Sequence, residues 1–580
     1  MFEPRWTLPP AHTDAALLKT AEALHNSLGV PPIVARILAG RGFTSAAAAR
    51  AYLEGGWGEL HDPFLLSGMQ AAVARIRQAL ASKEKILLYG DYDVDGTSSI
   101  VILKTTLDLL GGQTEYFVPH RLKDGYGMKA DRIEQAAREG VRLIISVDTG
   151  IRAAEVVALA NQLGVDSIVT DHHLPDAALP PATAVLNPNQ PGCIYPNKFL
   201  CGAGVAYKLA VALLRDSGWS ETRQQRMSES LVKLAAIATV ADIVPLVGEN
   251  RALVRLGLDG LADVRNAGLR SLLDVSGIPH GKTPTSRQVG FQIGPRINAA
   301  GRMASAGDVI RMFLTSDQAE AQRIAETLNL LNQERQQTEK EMLEAALSSA
   351  REDARMGLVL YDPGWHLGVA GIVAGRIAER ERKPVVVLAK DEYSTEARLK
   401  GSGRSLPGFH LLEALELMGH LFEQFGGHEQ AAGVTLRAER LTEFQEAFAA
   451  AAAAGLTAEM RRPELKIEGI LSAAEVDVAL FETLRRFEPL GHQNQAPLLA
   501  VLSAEVAAPP KVMKEKHLSL RLRQEGRPLN VKAWNMAEQY SWLQAGMLVD
   551  VAFRLEPDSW EGWSAVAAGI RRSATTHTPQ

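Results

Sequence analysis

Hydrophobic positions recur at helical spacing through the first eighty residues. Ala and Leu carry the pattern through Ala15–Ser27, Val34–Ala39 and Ser45–Leu53, and Met69–Ala81 has helix-forming composition. From about Lys85 the pattern changes to short apolar runs, Ile86–Tyr89, Arg142–Val147 and Asp166–Thr170, that read as strands. Ser98–Leu110 and Ala153–Leu163 read as helices between them, and such alternation implies a parallel, doubly wound sheet. Between Ser316 and about Arg355 lies a polar segment with few breakers, in which Ile324, Leu328 and Leu331 keep i, i+4, i+7 spacing. A helix of ~40 residues spans roughly 60 Å, which suits a strut between domains better than a core element.

A second α/β block follows, with Leu358–Tyr361 and Pro384–Leu388 as strands around a helix at Val369–Arg380. The Ala-rich run Ala447–Gly455, then Arg461-Arg462-Pro463, marks the next boundary. From Leu465 short strands dominate, including His517–Leu522, Leu529–Ala533 and Met547–Leu555, which is the pattern of a small β-barrel. The expected organisation is an α/β fold in six parts. An N-terminal helical segment (1–80) precedes a parallel-sheet domain (81–315), a connecting helix (316–355) and a second α/β domain (356–460). An OB-like β-barrel (461–572) and a polar tail (573–580), expected to be disordered, complete it.

Composition narrows the class without choosing a function. The 580 residues are too many for one core and suit about three or four domains. With 46% hydrophobic and 22% charged residues, the chain reads as soluble and globular. No basic stretch leading into an apolar run opens the sequence, and no segment approaches the ~18 apolar residues of a membrane span, so neither a signal peptide nor a membrane anchor is expected. Cys193 and Cys201 are the only cysteines; a disulfide framework or zinc ribbon is excluded, and a reducing cytosol fits. A net charge of −5 argues against a uniformly basic nucleic-acid binder but leaves room for a local basic groove.

Candidate chemistry sits where the predicted strands end. Asp91, Asp93 and Asp95 follow directly on Ile86–Tyr89, Asp148 follows Ile144–Val147, and Asp171-His172-His173 follows Ser167–Thr170. In open α/β sheets, ligands bind beyond the carboxyl ends of the strands. Carboxylates packed this closely repel unless a cation neutralises them. Any one Asp could simply cap the next helix, but three consecutive strand–helix units delivering acids and imidazoles to one rim favour a metal site. Asp242 adds a fourth acid in the apolar run Ala238–Pro245, where an unpaired carboxylate is costly. An EF-hand is excluded because the twelfth loop position is Ile102 and a strand precedes the loop. Neither a P-loop nor a dinucleotide fingerprint follows the first strand. Mixed carboxylate and imidazole donors suit Mn2+, and Mg2+ less well; two such ions can activate a nucleophile and stabilise a leaving oxygen in phosphoester hydrolysis.

These strings resemble the DHH phosphoesterase superfamily and, within it, its bacterial single-stranded-DNA exonucleases. The resemblance is carried by GDYDVDG (90–96), DGYG (124–127), VDTGI (147–151), TDHHLP (170–175), CGAGVA (201–206) and TVADIVPL (239–246). It continues through GPRINAAGRM (294–303), WHLGVAGIVAGR (365–376), GSGRS (401–405) and FGGHEQAAG (425–433). It implies Asp93, Asp95, Asp148, His172 and Asp242 as metal ligands, with Asp91 either a further ligand or a supporting acid. Asp171 would orient its neighbours, and His173 would face the scissile phosphate. Cys201, where the family tends to carry a small residue such as Ala, is an expected neutral departure.

Substrate contacts are read more widely. Arg121, Arg296 and Arg302, the latter two flanking Asn298, are candidate phosphate contacts, because the guanidinium fork matches phosphate oxygens; Gly301 would allow close backbone approach. Lys400-Gly-Ser-Gly-Arg-Ser405 reads as a glycine-rich anion nest, with a flexible hairpin as the plain alternative. Similarity to the DHH-associated substrate-binding domain assigns Ser402, Arg404 and His428 to the substrate strand or its 5′ phosphate. Trp365-His366 is read equally as a base-stacking pair or as packing beside a helix start. On the barrel, Lys511, Lys514, Lys516, Arg521 and Arg523 are expected to form a basic strip that tracks a single strand, although charge runs are usually solvated faces; Trp534 and Trp542 are read as core.

The expected function is two-metal, 5′→3′ hydrolysis of single-stranded DNA to 5′-mononucleotides in DNA repair and recombination, direction and strand preference being implied by the resemblance. Single-stranded DNA is the expected partner. A helicase and a single-strand-binding protein are implied by family, and a cytoplasmic monomer without membrane contact is expected. Three alternatives stay open. One is a DHH phosphodiesterase of short oligonucleotides or cyclic dinucleotides, which would not need the barrel. The others are a non-catalytic DNA-binding scaffold and a manganese pyrophosphatase, which would need neither strut nor barrel.

Overall fold

The structure, a computed structural model, describes residues 3–9, 14–120, 125, 127–303, 305–392, 394, 396–558 and 560–573. The chain forms two compact units, one of residues 56–457 with 491–493, the other of residues 1–55, 458–490 and 494–580.

The larger unit is built on two sheets. The first has five parallel strands in the order Gln113–Phe117, Lys85–Tyr89, Val141–Val147, Asp166–Thr170, Ala184–Leu186. Its three central strands are the apolar runs legible in the sequence, because both of their faces are buried. The two outer strands were not: Gln113–Phe117 is half-exposed and opens with three polar residues, and Ala184–Leu186 has only three residues. The helix after the first strand begins at Val94 rather than Ser98, since Asp93 caps it by accepting from the backbone N–H groups of Asp95 (2.8 Å) and Gly96 (3.1 Å). Helices Gly202–Asp216 and Glu221–Ala241 pack against that helix and complete the first core.

Gln318–Glu352 is the long helix, 35 residues and about 53 Å at 1.5 Å per residue. It is more than a strut. Ile324, Ala325 and Leu328 enter the first core, whereas Met342, Ala346 and Ala350 enter the second. Between them the buried Glu339 carboxylate pairs with Arg335 (2.7 Å) and Arg376 (2.6 Å), which explains polar residues in a buried segment.

The second sheet runs Gln424–Gly427, Ala431–Arg437, Arg398–Arg404, Val385–Lys390, Leu358–Tyr361; only the last pair is parallel. Here the expected glycine-rich nest at Lys400–Ser405 is corrected: through Arg404 it is the central strand. Its glycines serve packing, since a Cβ on Gly401 would lie 2.2 Å from the Val387 carbonyl oxygen.

The smaller unit joins the chain's beginning to its end. Arg5–Thr7 pairs in parallel with Glu464–Lys466. Helices Ala15–Leu28, Pro32–Gly40 and Ala46–Glu54 share one core with the barrel, Leu24, Val34 and Leu38 meeting Phe487, Val501 and Phe553. Arg41 locks this arrangement through two hydrogen bonds to Glu468 (2.6 and 2.9 Å). The expected helical segment 1–80 is thus divided, because Met69–Ala81 packs on the first parallel sheet instead. An apolar helix face shows that it needs a partner but not which one. The seven barrel strands are ordered Gly469–Ile470, Leu499–Val506, Leu548–Asp558, Gly562–Arg572, Arg527–Ala533, His517–Gln524, Lys511–Met513, and a pairing of Leu499–Val506 with His517–Gln524 closes the ring. The expected disordered tail lies outside the described residues from 574 onward.

Candidate metal centre

The carboxyl ends of the three central parallel strands deliver the acids to one rim. Asp95 is 1% exposed, and its carboxylate accepts from the backbone N–H groups of Gly202 (2.6 Å) and Ala203 (2.7 Å) at the start of Gly202–Asp216. That helix end carries partial positive charge, which suits an acidic side chain seated against it. Asp148 is held in left-handed backbone geometry, φ 57°, with its N–H donating to the Thr170 carbonyl (2.9 Å).

Three overlapping groups have their donor atoms within 4.8 Å of one another: Asp91, Asp93 and Asp148; Asp95, His172 and Asp242; and Asp148, His172 and His173. His172 Nε2 lies 3.2 Å from Asp148, 3.7 Å from Asp95 and 3.8 Å from Asp242. Burial and the neighbouring carboxylates, Asp95 foremost, push Asp148 and Asp242 well above the usual carboxylate range. Burial holds the His172 imidazole below its ordinary pKa, which favours the neutral ring that a metal ligand requires. Buried carboxylates that repel one another around a neutral imidazole match the needs of a divalent cation bound by oxygen and nitrogen. The sharing of Asp148 and His172 between groups suits two adjacent ions.

Asp171 stands apart from these ligand sets. Its Oδ1 accepts from the backbone N–H groups of His172 (2.7 Å) and His173 (3.1 Å) and from His173 Nδ1 (2.8 Å), and its Oδ2 accepts from the Ile151 N–H (3.0 Å). Burial acts to raise Asp171, but the bond from His173 and the charge of that ring outweigh it and hold the carboxyl low. An ionised carboxylate only accepts, so His173 carries its proton on Nδ1 and turns Nε2 outward. Burial likewise acts to lower His173, and the Asp171 bond and charge raise it overall.

His173 opens onto a pocket of about 800 Å³ lined by Met128, Ile151, Arg152, Leu174 and, from the second α/β domain, His428. Other expected contacts are engaged differently. Asn298 Oδ1 accepts from the Val94 N–H (3.1 Å), so it braces the first acidic motif. Gly301 allows approach not to phosphate but to the Tyr92 carbonyl, from which a Cβ would be 2.8 Å. Arg302 Nη1 donates to the Gly368 carbonyl (2.6 Å) in the first turn of Leu367–Glu381, tying the two α/β domains together. Arg296 bonds Asn329 (3.0 Å) and the Gln292 carbonyl (2.6 Å). Arg404 Nη1 donates to Ser402 Oγ (2.7 Å), and both side chains lie against Gly371 of Leu367–Glu381. Arg121 lies outside the described residues. His366 caps Leu367–Glu381, and Trp365 packs on the adjoining core, which decides that pair for packing. Cys201 is buried at a helix start beside Thr239, with its thiol pushed up by burial.

On the barrel, Lys511, Lys514, Lys516, Arg521 and Arg523 are exposed, and Arg521 and Arg523 share the outer face of His517–Gln524. The charge is partly offset, Arg523 pairing with Glu505 (2.9 Å) and Lys532 with Asp558 (2.5 Å). Trp534 is not core: it is 45% exposed and meets His517 edge-on. Trp542 does pack on the barrel core. The amides of Gly202, Ala203 and Ile151 escaped sequence reasoning, because a backbone N–H has no residue type; the CGAGVA and VDTGI strings were their only trace.

The DHH family, N-terminal domain, matches residues 85–239, the DHHA1 domain matches 356–454 and the RecJ OB domain matches 467–571. The single-stranded-DNA-specific exonuclease RecJ of Bacillus subtilis is 35% identical over 542 residues, 93% of this chain and 67% of that protein. Its counterpart from Salmonella typhimurium is 35% identical over 556 residues, 92% of this chain and 94% of that protein. The crystal structure of RecJ in complex with Mn2+ from Thermus thermophilus superposes with a TM-score of 0.83 at 31% identity, covering 98% of this chain and 80% of that one. A second structure of the Thermus protein, in complex with Mg2+, gives a TM-score of 0.77 at 30% identity, covering 98% and 79%.

Proposed function

The chain belongs to the RecJ family of DHH exonucleases, and from that premise we propose that it degrades single-stranded DNA from the 5′ end to 5′-mononucleotides. The observation that carries this reading is the acidic rim grouped around His172 and His173, a pair that lines one pocket together with His428 of the second α/β domain. Asp93, Asp95, Asp148, His172 and Asp242 would hold two Mn2+ or Mg2+ ions, with Asp91 within reach of the same site. When bound, the ions activate the attacking water and neutralise charge on the phosphoester. Asp171 bonds His173 Nδ1 and favours the protonated ring, so that its Nε2–H can donate to a phosphate oxygen. Ser402, Arg404 and His428 take the terminal phosphate, and Arg521 with its basic neighbours takes the trailing strand. The RecJ OB match supports a long strand rather than a dinucleotide as substrate.

Among the described residues no helix is long and apolar enough to cross a membrane. Action as a cytoplasmic monomer in repair and recombination, fed by a helicase and a single-strand-binding protein, rests on the family alone. Digestion of 5′- and 3′-labelled strands with and without Mn2+ tests the reading. Mononucleotides should leave the 5′ label first, and only with metal; release from the 3′ end, or cleavage that survives chelation, would refute it.

A further inference from the structure

The residue after Asp242 sits in a conformation its side chain resists. Ile243 occupies left-handed backbone, φ 58°, just beyond the helix Glu221–Ala241, with its N–H reaching back to the Val240 carbonyl (3.3 Å). Glycine is the usual residue there, and a β-branched side chain is strongly disfavoured. Ile243 nevertheless points outward and is 69% exposed. Its neighbour is also irregular. The π-helical turn Val289–Ile293 packs on the same helix end, Gly290 against Val240 and Gly294 against Ala241, and carries Phe291 at 76% exposure. The helix that continues from this turn braces the acidic motif through Asn298 and Gly301. Two solvent-facing apolar side chains are thus mounted on backbone fixed to the metal centre, one strained and one π-helical. Such irregularities cluster at functional sites.

The apolar part of a DNA strand is the face of its bases. Leu174 and His428 line the pocket on the His173 side, which suits the departing nucleotide, whereas Asp242 does not line that pocket. We propose that Ile243, with Phe291 on the π-helical turn packed against the same helix end, forms an apolar lip against which the second nucleobase packs. This is the first base retained on the strand, and the lip holds it unstacked from its 3′ neighbour. The inference rests on the exonuclease reading and adds to it a residue that positions the scissile bond.

The test uses the full chain with Mg2+ and a strand protected by phosphorothioate linkages, carrying 2-aminopurine at nucleotide 2. Binding should brighten the probe as the base leaves its stack, and Ile243→Asn, which tolerates left-handed backbone, should abolish the rise. In parallel, kcat/KM is measured with Mn2+ on an ordinary strand and on one abasic at nucleotide 2. Either the substitution or the missing base should cost about tenfold, the range of one base contact, and the two together no more than either alone. Ile243→Gly relieves the backbone, so it should unfold at a higher temperature while losing the same activity, which separates the lip from a folding role. Multiplicative losses, a probe that brightens equally in Ile243→Asn, or full activity in Ile243→Gly would overturn the proposal. An ordinary strand left intact by the unaltered chain would instead refute the exonuclease reading.

Discussion

Asp171→Asn preserves side-chain shape while removing the charge and one acceptor. The carboxylate receives four N–H groups, three on Oδ1 and one on Oδ2, with no exposure to water. An amide serves best with its oxygen at the Oδ1 position, keeping both backbone bonds and His173 Nδ1. Its NH2 then faces the Ile151 N–H, donor against donor. One buried amide left unsatisfied costs ~1–3 kcal/mol, and loss of charge assistance to His173 adds about 1 kcal/mol. The expected destabilisation is therefore about 2–4 kcal/mol, several degrees in a calorimetric transition of the larger unit. Cleavage should fall at least tenfold, roughly 1.4 kcal/mol, because His173 keeps its Nδ1 bond but loses the carboxylate charge that raises its pKa. Mn2+ affinity, read from the metal-induced shift in unfolding temperature, should stay close to that of the unaltered chain. A wild-type transition together with wild-type turnover would refute this account. Loss of Mn2+ binding as large as in Asp148→Asn would make Asp171 a ligand rather than an orienting group.

Three further outcomes are expected. Because Asp148 and Asp242 are raised by burial and mutual repulsion, the metal-free fold binds protons more readily than the unfolded chain and loses stability as pH rises through their range. Mn2+ should therefore raise the unfolding temperature more at pH 8 than at pH 5, and a shift that persists in full in Asp148→Asn would contradict the assignment. Asp558 is held down to about 2 from an ordinary 3.8 by the Lys532 bond and the amides of Trp560 and Glu561, so its contribution is complete above 3.8 and fades as pH falls toward 2. An NMR titration should find that carboxyl returned toward 3.8 in Lys532→Met, and an unchanged midpoint would show that Lys532 is not the cause. Arg521→Glu should weaken binding of a long single strand and lower the salt slope by about one, while cleavage of a trinucleotide is unaffected; equal effects on both substrates would place Arg521 outside the strand's path.

Much of the centre was legible because it is built from residue types whose placement is costly without a purpose. Asp91, Asp93, Asp95 and Asp148 announce themselves by following apolar runs, and Asp242 by interrupting one, while the alternation of such runs with helices gives the parallel sheet. Reading was poorer wherever a residue's role depends on what lies opposite it. Asn298 and Arg302 were read for phosphate contact alone, and nothing in the sequence showed that one also braces the Val94 amide and the other the Gly368 carbonyl. The glycines of Lys400–Ser405 looked like a loop and are the middle of a sheet.

By itself, then, the sequence determined the chemistry available to this protein: carboxylates and imidazoles at three strand ends, two α/β blocks, a barrel with a basic strand and a long polar helix. Those follow from periodicity and from the cost of burying charge, which are local. Only the tertiary structure decided that residues 1–55 belong with the barrel, that both ends of the long helix are core, and that amides from Gly202, Ala203 and Ile151 set the acids in place. It alone put Ile243 into left-handed backbone beside Asp242. Each of these depends on which surfaces meet across hundreds of residues, and hydrophobic pattern states that a face must be buried without naming the face that buries it.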